Sequence, residues 1–336
     1  MQRWLMGAVA VALGLGAGGQ AGTAARAPVA VFAPLPGHRI TGFGFDRQWL
    51  ALAEDPDTAT GCPIVRLVSV AGGGARSLTR PGGATCRLGG DFWVRPGERA
   101  IGVAIVKALW IVRRGGTAIA VKASPSESER VLAQVSGIDS QKGPFLGPVV
   151  ATNWLRLFGS YTRSDDGTLT GSVVSGNQRT LWSATGPVLP LGLDDEEHAV
   201  SVGADGSIAM WHAHGARYGK VPDAHARATA MDSGLVVVLR SDRPRIDVRR
   251  LSGQRIASWP VAPDAAPLLD AEGDTAIYLV GRSVHELDLA HGGDRTVAVA
   301  PPGSTLLDAQ IERGLVAYAY RGGTAGSGRV VVVVAR

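Results

Sequence analysis

The sequence is short of the residues from which most catalytic and metal sites are built. Its 336 residues include only 2 cysteines, 4 methionines and 7 histidines, with aromatics at 6% and charged residues at 19%. Two cysteines without a C-x-x-C spacing and with no ligand set beside either argue against a zinc site or a thioredoxin-type redox pair. No run of five like charges occurs, and 34 basic against 29 acidic residues leave a net charge of only +5. Scattered arginines in that number make no basic stripe, so nucleic acid is not an expected partner. Beyond residue 27 no segment reaches the ~18 uninterrupted apolar residues of a membrane span, so no transmembrane anchor is expected in the mature chain.

Catalytic signatures are missing as well. There is no G-x-S-x-G and no H-E-x-x-H, because His285-Glu286 runs on into Leu287-Asp288-Leu289. Gly215 to Val221 (GARYGKV) is one residue short of a phosphate loop and has no Ser or Thr after Lys220. Gly14 to Gly19 matches G-x-G-x-x-G in form only, since it lies in an apolar N-terminal segment and follows no strand. Ser164-Asp165-Asp166-Gly167 lacks the spacer of a sialidase-type box and reads as a hairpin turn. No catalytic, cofactor-binding or metal-binding residue is assigned, and no cofactor is expected.

What the chain does have begins with an export signature. Arg3 precedes an apolar run from Leu5 to Gly19, and small residues follow from Ala21 to Ala27. This predicts a secretory signal peptide over residues 1–27, with cleavage favoured after Ala24 or Ala25, and a secreted or extracytoplasmic chain. In an oxidising compartment the isolated pair Cys62 and Cys86 is expected to form a disulfide, worth about 3 kcal/mol through loop closure. Two buried free thiols are the alternative.

Residues 28–336 read as one repetitive all-β domain. Pro267 to Val299 shows the unit best: Leu268–Asp270, a Glu-Gly-Asp turn, Thr275–Val280, a Gly281-Arg282 turn, Val284–Leu289, and Arg295–Val299. An apolar second strand suits a strand covered on both faces. Second strands are placed at Leu50, Ile101, Leu155, Val200, Leu235, Ala276 and Leu315, a spacing close to the ~40–50 residues of a four-stranded propeller blade. Asp91–Val94 is expected to open the second repeat, with Ala100–Val106 as its second strand, and the polar segment Pro125–Gln134 is expected to be a loop. The last repeat shows three strands (Thr305–Gln310, Leu315–Tyr320, Val330–Val334), and an isolated strand stands at Val29–Leu35. The expected architecture is a seven-bladed β-propeller, or a six-bladed one, closed by that N-terminal strand pairing in the last blade. Closure would remove two open sheet edges.

The segments GDTAIYLVGRSVHELDLAHGG and ERGLVAYAYRGGTAGSGRVVVVV resemble the WD40-like, TolB-type β-propellers of secreted bacterial proteins. The Gly-Asp turn, the apolar strand with a late tyrosine and the V-x-x-L-D-L…G-G segment carry the likeness, although the Gly-His and Trp-Asp dipeptides of true WD40 repeats are missing. The resemblance implies a binding or assembly module.

Three groups of residues are weighed as sites. His212 and His214, two apart on a strand, share a face and could meet one metal ion, with Asp194, Asp195, Glu196, Glu197 or His198 as a third ligand; the alternative is a wet strand end. Arg243, Arg245 and Arg249, with Asp247 between them, could grip an anion or simply blunt an exposed face with charge. Trp49, Trp93, Trp110, Trp154, Trp182, Trp211 and Trp259 recur about once per repeat and are read as packing between blades rather than a sugar platform. The function expected is a secreted, non-catalytic binding or scaffolding module that contacts a protein or cell-envelope ligand through rim loops or the channel mouth. The alternative is a propeller-type hydrolase or lyase with its site at the central channel.

Overall fold

The structure is a computed structural model. It describes residues 27–58, 61–88, 101–104, 107–114, 117–124, 127–136, 145–151, 156–166, 169–175, 180–185, 189–193, 198–203, 205–212, 217–323 and 326–335. After β1 (Ala30–Phe32) comes a sheet of β2 to β5 (His38–Asp46, Trp49–Pro56, Ile64–Ser69, Arg76–Ser77), and then a five-residue helix, α1 (Ala84–Leu88). The next two sheets are β6 to β9 (Ile101–Ala104, Lys107–Arg114, Thr117–Ser124, Glu127–Ser136) and β10 to β13 (Phe145–Ala151, Arg156–Arg163, Leu169–Ser175, Thr180–Thr185). Two more follow: β14 to β17 (Leu189–Leu193, His198–Val202, Ile208–His212, Arg217–Val221) and β18 to β21 (Ala226–Asp232, Leu235–Arg240, Arg245–Arg250, Arg255–Pro260). A sixth sheet holds β22 to β25 (Ala265–Glu272, Thr275–Val280, Ser283–Asp288, Asp294–Val299). In the last, β26 to β28 (Ser304–Glu312, Leu315–Gly322, Arg329–Val334) are joined by β1, which runs antiparallel to β28 with Ala30 opposite Val332.

Each sheet is an antiparallel meander, and successive sheets meet through their first strands. β2 packs on β6, β6 on β10, β10 on β14, β14 on β18, β18 on β22, β22 on β26, and β26 on β2. The cores lie between sheets. Ile40, Phe43, Leu50 and Leu52 pack with Ala317, Ala319, Val330 and Val332 of the last sheet. Val237, Leu239 and Ile246 pack with Ala276, Tyr278 and Leu287 of the next. Alanine and valine dominate these contacts, which suits thin, closely spaced sheets; each fully buried valine or leucine is worth about 1.5–3 kcal/mol.

The second repeat corrects the sequence reading. Ile101–Ala104 is the first strand of its sheet, not the second, and Glu127–Ser136 is a strand where a loop was expected. The segment reads as polar because it is an outer strand: Ser128, Arg130 and Val131 are exposed, and charge on an edge discourages pairing with other chains. Its ladder with β8 is also interrupted by two bulges, which blurs the alternation of side chains. Asp91–Val94 lies outside the described residues.

Helix α1 was not expected from the sequence, and its anchoring is specific. The indole N–H of the fully buried Trp110 donates to Thr85 Oγ1 at 2.9 Å, and the Thr85 N–H donates to Glu129 Oε2 of β9 at 2.9 Å. Cys86 on this helix is disulfide-bonded to Cys62, with their Cα atoms 4.9 Å apart. The bridge ties α1 to the segment just before β4. Replacing both cysteines by alanine is expected to lower the unfolding free energy by about 3 kcal/mol in urea titrations, the loop-entropy value for this separation.

Candidate functional site

The first and second strands of several sheets are joined by two-residue turns, and each turn is preceded by an acidic residue: Asp46, Asp232, Glu272 and Glu312. The carboxylates of Asp232 and Glu272 reach across to the turn of the following sheet. Asp232 Oδ2 accepts from the Gly273 N–H at 2.7 Å. Glu272 accepts from the Arg313 N–H through Oε1 and from the Gly314 N–H through Oε2, the latter at 3.0 Å. Glu312 lies close enough to the Arg47 turn of the first repeat for the Arg47 main chain to favour its charge. A second tier lies two residues deeper. Asp270 Oδ2 accepts from the Ile311 N–H at 2.9 Å, and the Gln310 amide takes the Phe45 N–H at 2.8 Å while donating to the Phe43 carbonyl at 3.0 Å.

These turns are strained where their first residue is not glycine. Arg47, Ser233 and Arg313 have φ of 58°, 48° and 51°, whereas Gly273 occupies the same place at 53°. A left-handed non-glycine residue costs about 1 kcal/mol or more, and a hydrogen bond to a charged acceptor returns about 1.5–3 kcal/mol. At Arg313 the neighbouring sheet therefore holds the turn, through Glu272, in a shape that the turn alone disfavours.

Close to these turns is a cleft of about 580 Å³, whose walls include Asp274, Glu286, Asp288, His291, Asp294 and Arg295. Two turns build it, the one between β22 and β23 and the one between β24 and β25. Asp288 shapes the second: its Oδ1 accepts from the N–H groups of Ala290 and His291, both at 2.9 Å, and its Oδ2 meets His291 Nδ1 at 3.0 Å. The His291 side chain, then its N–H, hold the Asp288 carboxyl below the usual carboxylate range. Trp259 of the preceding sheet supports the same turn from outside, donating from Nε1 to the Leu289 carbonyl at 2.9 Å. Its ring leaves room for nothing larger than glycine at Gly292, where an added Cβ would lie 2.3 Å from Trp259 Cε3.

Glu286 is the buried member of the set, with a side chain only 8% exposed. Arg295 Nη2 meets its Oε1 at 2.7 Å and also donates to the Ala335 carbonyl. Glu286 Oε2 is shielded from solvent and has no hydrogen-bond partner among the described residues. On the opposite face of the sheet, Asp294 accepts from the Tyr278 hydroxyl and lies 3.1 Å from His285 Nδ1. Burial opposes the charge on Asp294, but the bonds from His285 and Tyr278 prevail and lower its pKa. Burial and the adjacent carboxylate push the Tyr278 hydroxyl upward.

The residues weighed from the sequence fall elsewhere. Arg243 is exposed and 3.6 Å from Asp242, while Arg245 bonds Ser258 through its side-chain oxygen and carbonyl. Arg249 and Asp247 are buried, contrary to both the anion-gripping and the exposed-face readings. Asp247 takes Arg240 and Arg249 at 3.1 Å each and the Ser258 hydroxyl at 2.6 Å. Burial alone would raise its pKa, yet the bonds from Ser258 and Arg240 outweigh it and the pKa is lowered. The network is an internal brace of the β18 to β21 sheet.

His198 stands directly opposite His212, and Tyr218 completes a cluster of three rings with centroids 5.5 to 6.4 Å apart. His214 and residues 194–197 lie outside the described residues, and no group of three or more metal-ligating side chains occurs among the described ones. Trp110 and Trp211 are buried, and Trp49 and Trp259 pack against cores at the sheet junctions. Trp93 and Trp154 lie outside the described residues, as does the side chain of Trp182.

No family model matches the sequence, and no curated protein matches it. Solved structures do. A chain of the mitotic checkpoint complex aligns with a TM-score of 0.60 and 11% identity over 96% of this chain and 99% of that one. The Pan2 WD40 domain of Neurospora crassa aligns at 0.56 and 12% identity over 91% and 94%. The computationally designed Ika8 protein aligns at 0.51 and 13% over 88% and 97%. The chain is thus an all-β protein of many four-stranded antiparallel sheets with WD40-type β-propeller neighbours, and its WD40-like resemblance holds at the level of the fold.

Two expectations follow from the linked turns. Glu272→Ala strands the N–H groups of Arg313 and Gly314 and is expected to cost about 1–3 kcal/mol in urea unfolding, while Glu272→Gln, which keeps an acceptor, costs less. Glu312 gives a pH signature. Burial, then the charges of Asp46 and Glu272, push its pKa from the usual 4.5 to about 7, against the Arg47 N–H and the nearby Arg313. The folded state then holds a proton that the unfolded chain releases. Its stability contribution is full below pH 4.5 and is lost as pH rises through about 7. Unfolding midpoints taken across that window should fall with rising pH in the parent and flatten in Glu312→Gln.

Proposed function

We propose that this chain is a secreted, non-catalytic scaffold: a signal peptide over residues 1–27, then one seven-bladed β-propeller over 28–336 that binds a protein or cell-envelope component. The ring closes where β1 completes the last blade. Three features support that reading of the architecture: the unbroken succession of first-strand contacts, the β1–β28 ladder, and the Gln310 bonds to Phe45 and Phe43 of the first repeat. The disulfide accords with an oxidising compartment.

The observation that carries the binding reading is the rim made by the inner turns. Its turns are held rigid by the sheets beside them, and it bears a polar cleft next to an inner-turn carboxylate relay. A pre-shaped rim loses little conformational freedom on binding, which favours affinity. Propeller folds serve widely as interaction scaffolds, and one structural neighbour belongs to a multiprotein complex by its description.

The test is capture from a cell-envelope extract and culture supernatant on the immobilised mature chain. A saturable partner that is retained by the parent and lost on reversing charges of the rim is the expected result. Specific substrate turnover by the purified protein, with no partner retained, would contradict it.

A further inference from the structure

The cleft beside β24 has a feature that the fold does not use. Glu286 is buried, its Oε1 is taken by Arg295, and its Oε2 has no donor among the described residues. A carboxylate oxygen kept from water without a partner is costly, and a donor brought by a ligand would recover that cost. The terminal torsion of a glutamate is soft, so a small turn of the carboxylate presents this oxygen to the cleft that the residue lines.

We propose that the cleft is a binding site for a ligand bearing a primary ammonium group, seated against Glu286 with its stem running out past Gly293. The proposal deepens the binding reading given above and rests on it only for biological context. Charge favours it. The carboxylates of Asp274, Glu286 and Asp288 line the cleft against Arg295 and His291, while Asp294 contributes to its wall but turns its carboxylate to Tyr278 and His285 on the other face. A metal ion lacks a ligand set, since no three ligating side chains converge among the described residues. A guanidinium is the poorer match, because its planar fork asks for two coplanar acceptors and Glu286 has only one oxygen to give. An ammonium is a compact head with three donors on a slim stem, and about 580 Å³ is room for an extended alkyl chain.

Gly293 supplies a control that spares the carboxylates. Its backbone is not left-handed, and an added Cβ would meet nothing nearer than Asp288 Cβ at 3.9 Å. A larger side chain there enters the cleft without straining the turn.

The experiment is calorimetric titration of the mature chain with cadaverine, with spermidine, and with acetyl-Gly-Lys-Gly-amide beside its side-chain-acetylated form. Saturable binding of at least one ammonium probe is expected, with no binding of the acetylated peptide. Glu286→Gln should weaken that binding tenfold or more, and Gly293→Leu should abolish it, both variants keeping the parent's unfolding midpoint within a few degrees. Preference for the diamines would assign the site to small amines, and preference for the peptide to lysine side chains of a partner. No saturable binding by any probe would overturn the proposal, as would binding that survives both variants. No probe binding together with equal capture of an envelope partner by parent and both variants would overturn it while leaving the scaffold reading intact. Should Glu286→Gln fail to fold, Gly293→Leu alone decides the matter.

Discussion

The fold depends on a bond that crosses from one sheet to the next: a carboxylate or amide at the end of one inner strand accepting the main-chain N–H of its neighbour. Asp232 to Gly273 and Glu272 to Arg313 and Gly314 repeat it at the turns, and Asp270 to Ile311 and Gln310 to Phe45 repeat it one tier below. Apolar packing between thin Ala- and Val-rich sheets has little directional preference. These bonds supply direction, because each acceptor meets its donor only when neighbouring sheets stand in one register. They also hold Arg313 in a left-handed turn that would otherwise relax.

The same linkage explains why the polar cleft can be built from turns. A cleft between two hairpin ends would ordinarily move with them. Here one hairpin is fixed through Glu272 and Gly273 to the sheets on both sides. The other is fixed by Trp259, which lies on Gly292 and bonds the Leu289 carbonyl. Rigid walls make it possible for Glu286 to stay buried with an oxygen to spare, since there is no slack for the chain to fold a donor onto it.

Much of the architecture was legible in the sequence, and the reasons are local. Glu272-Gly273-Asp274, followed by the apolar run Thr275–Val280, announces a hairpin and a covered strand through turn chemistry and period alone. The strand Glu127–Ser136 was not legible, because an outer strand is free to be polar and looks like a loop. Arg249 and Asp247 misled for the opposite reason: charges that normally mark a solvated face were neutralising one another inside a sheet. The acidic residues before the turns were visible as letters. Nothing in one repeat shows that its carboxylate serves the next, for the donor lies about 40 residues downstream, as from Glu272 to Arg313. The cleft was hidden more deeply, since Glu286 looks like an ordinary alternating strand residue until its neighbours are in place.

Amide hydrogen exchange at the inner turns tests the linkage most directly. Hairpin-turn N–H groups that face water exchange quickly, whereas groups released only by separation of the sheets exchange as slowly as the core. The amides of Phe45, Gly273 and Arg313 should be protected to nearly the level of Val237 at the centre of β19, and Glu272→Ala should release Arg313 and Gly314 selectively. Turn amides that exchange at the rate of an unstructured peptide, while the strands around them stay protected, would contradict this account.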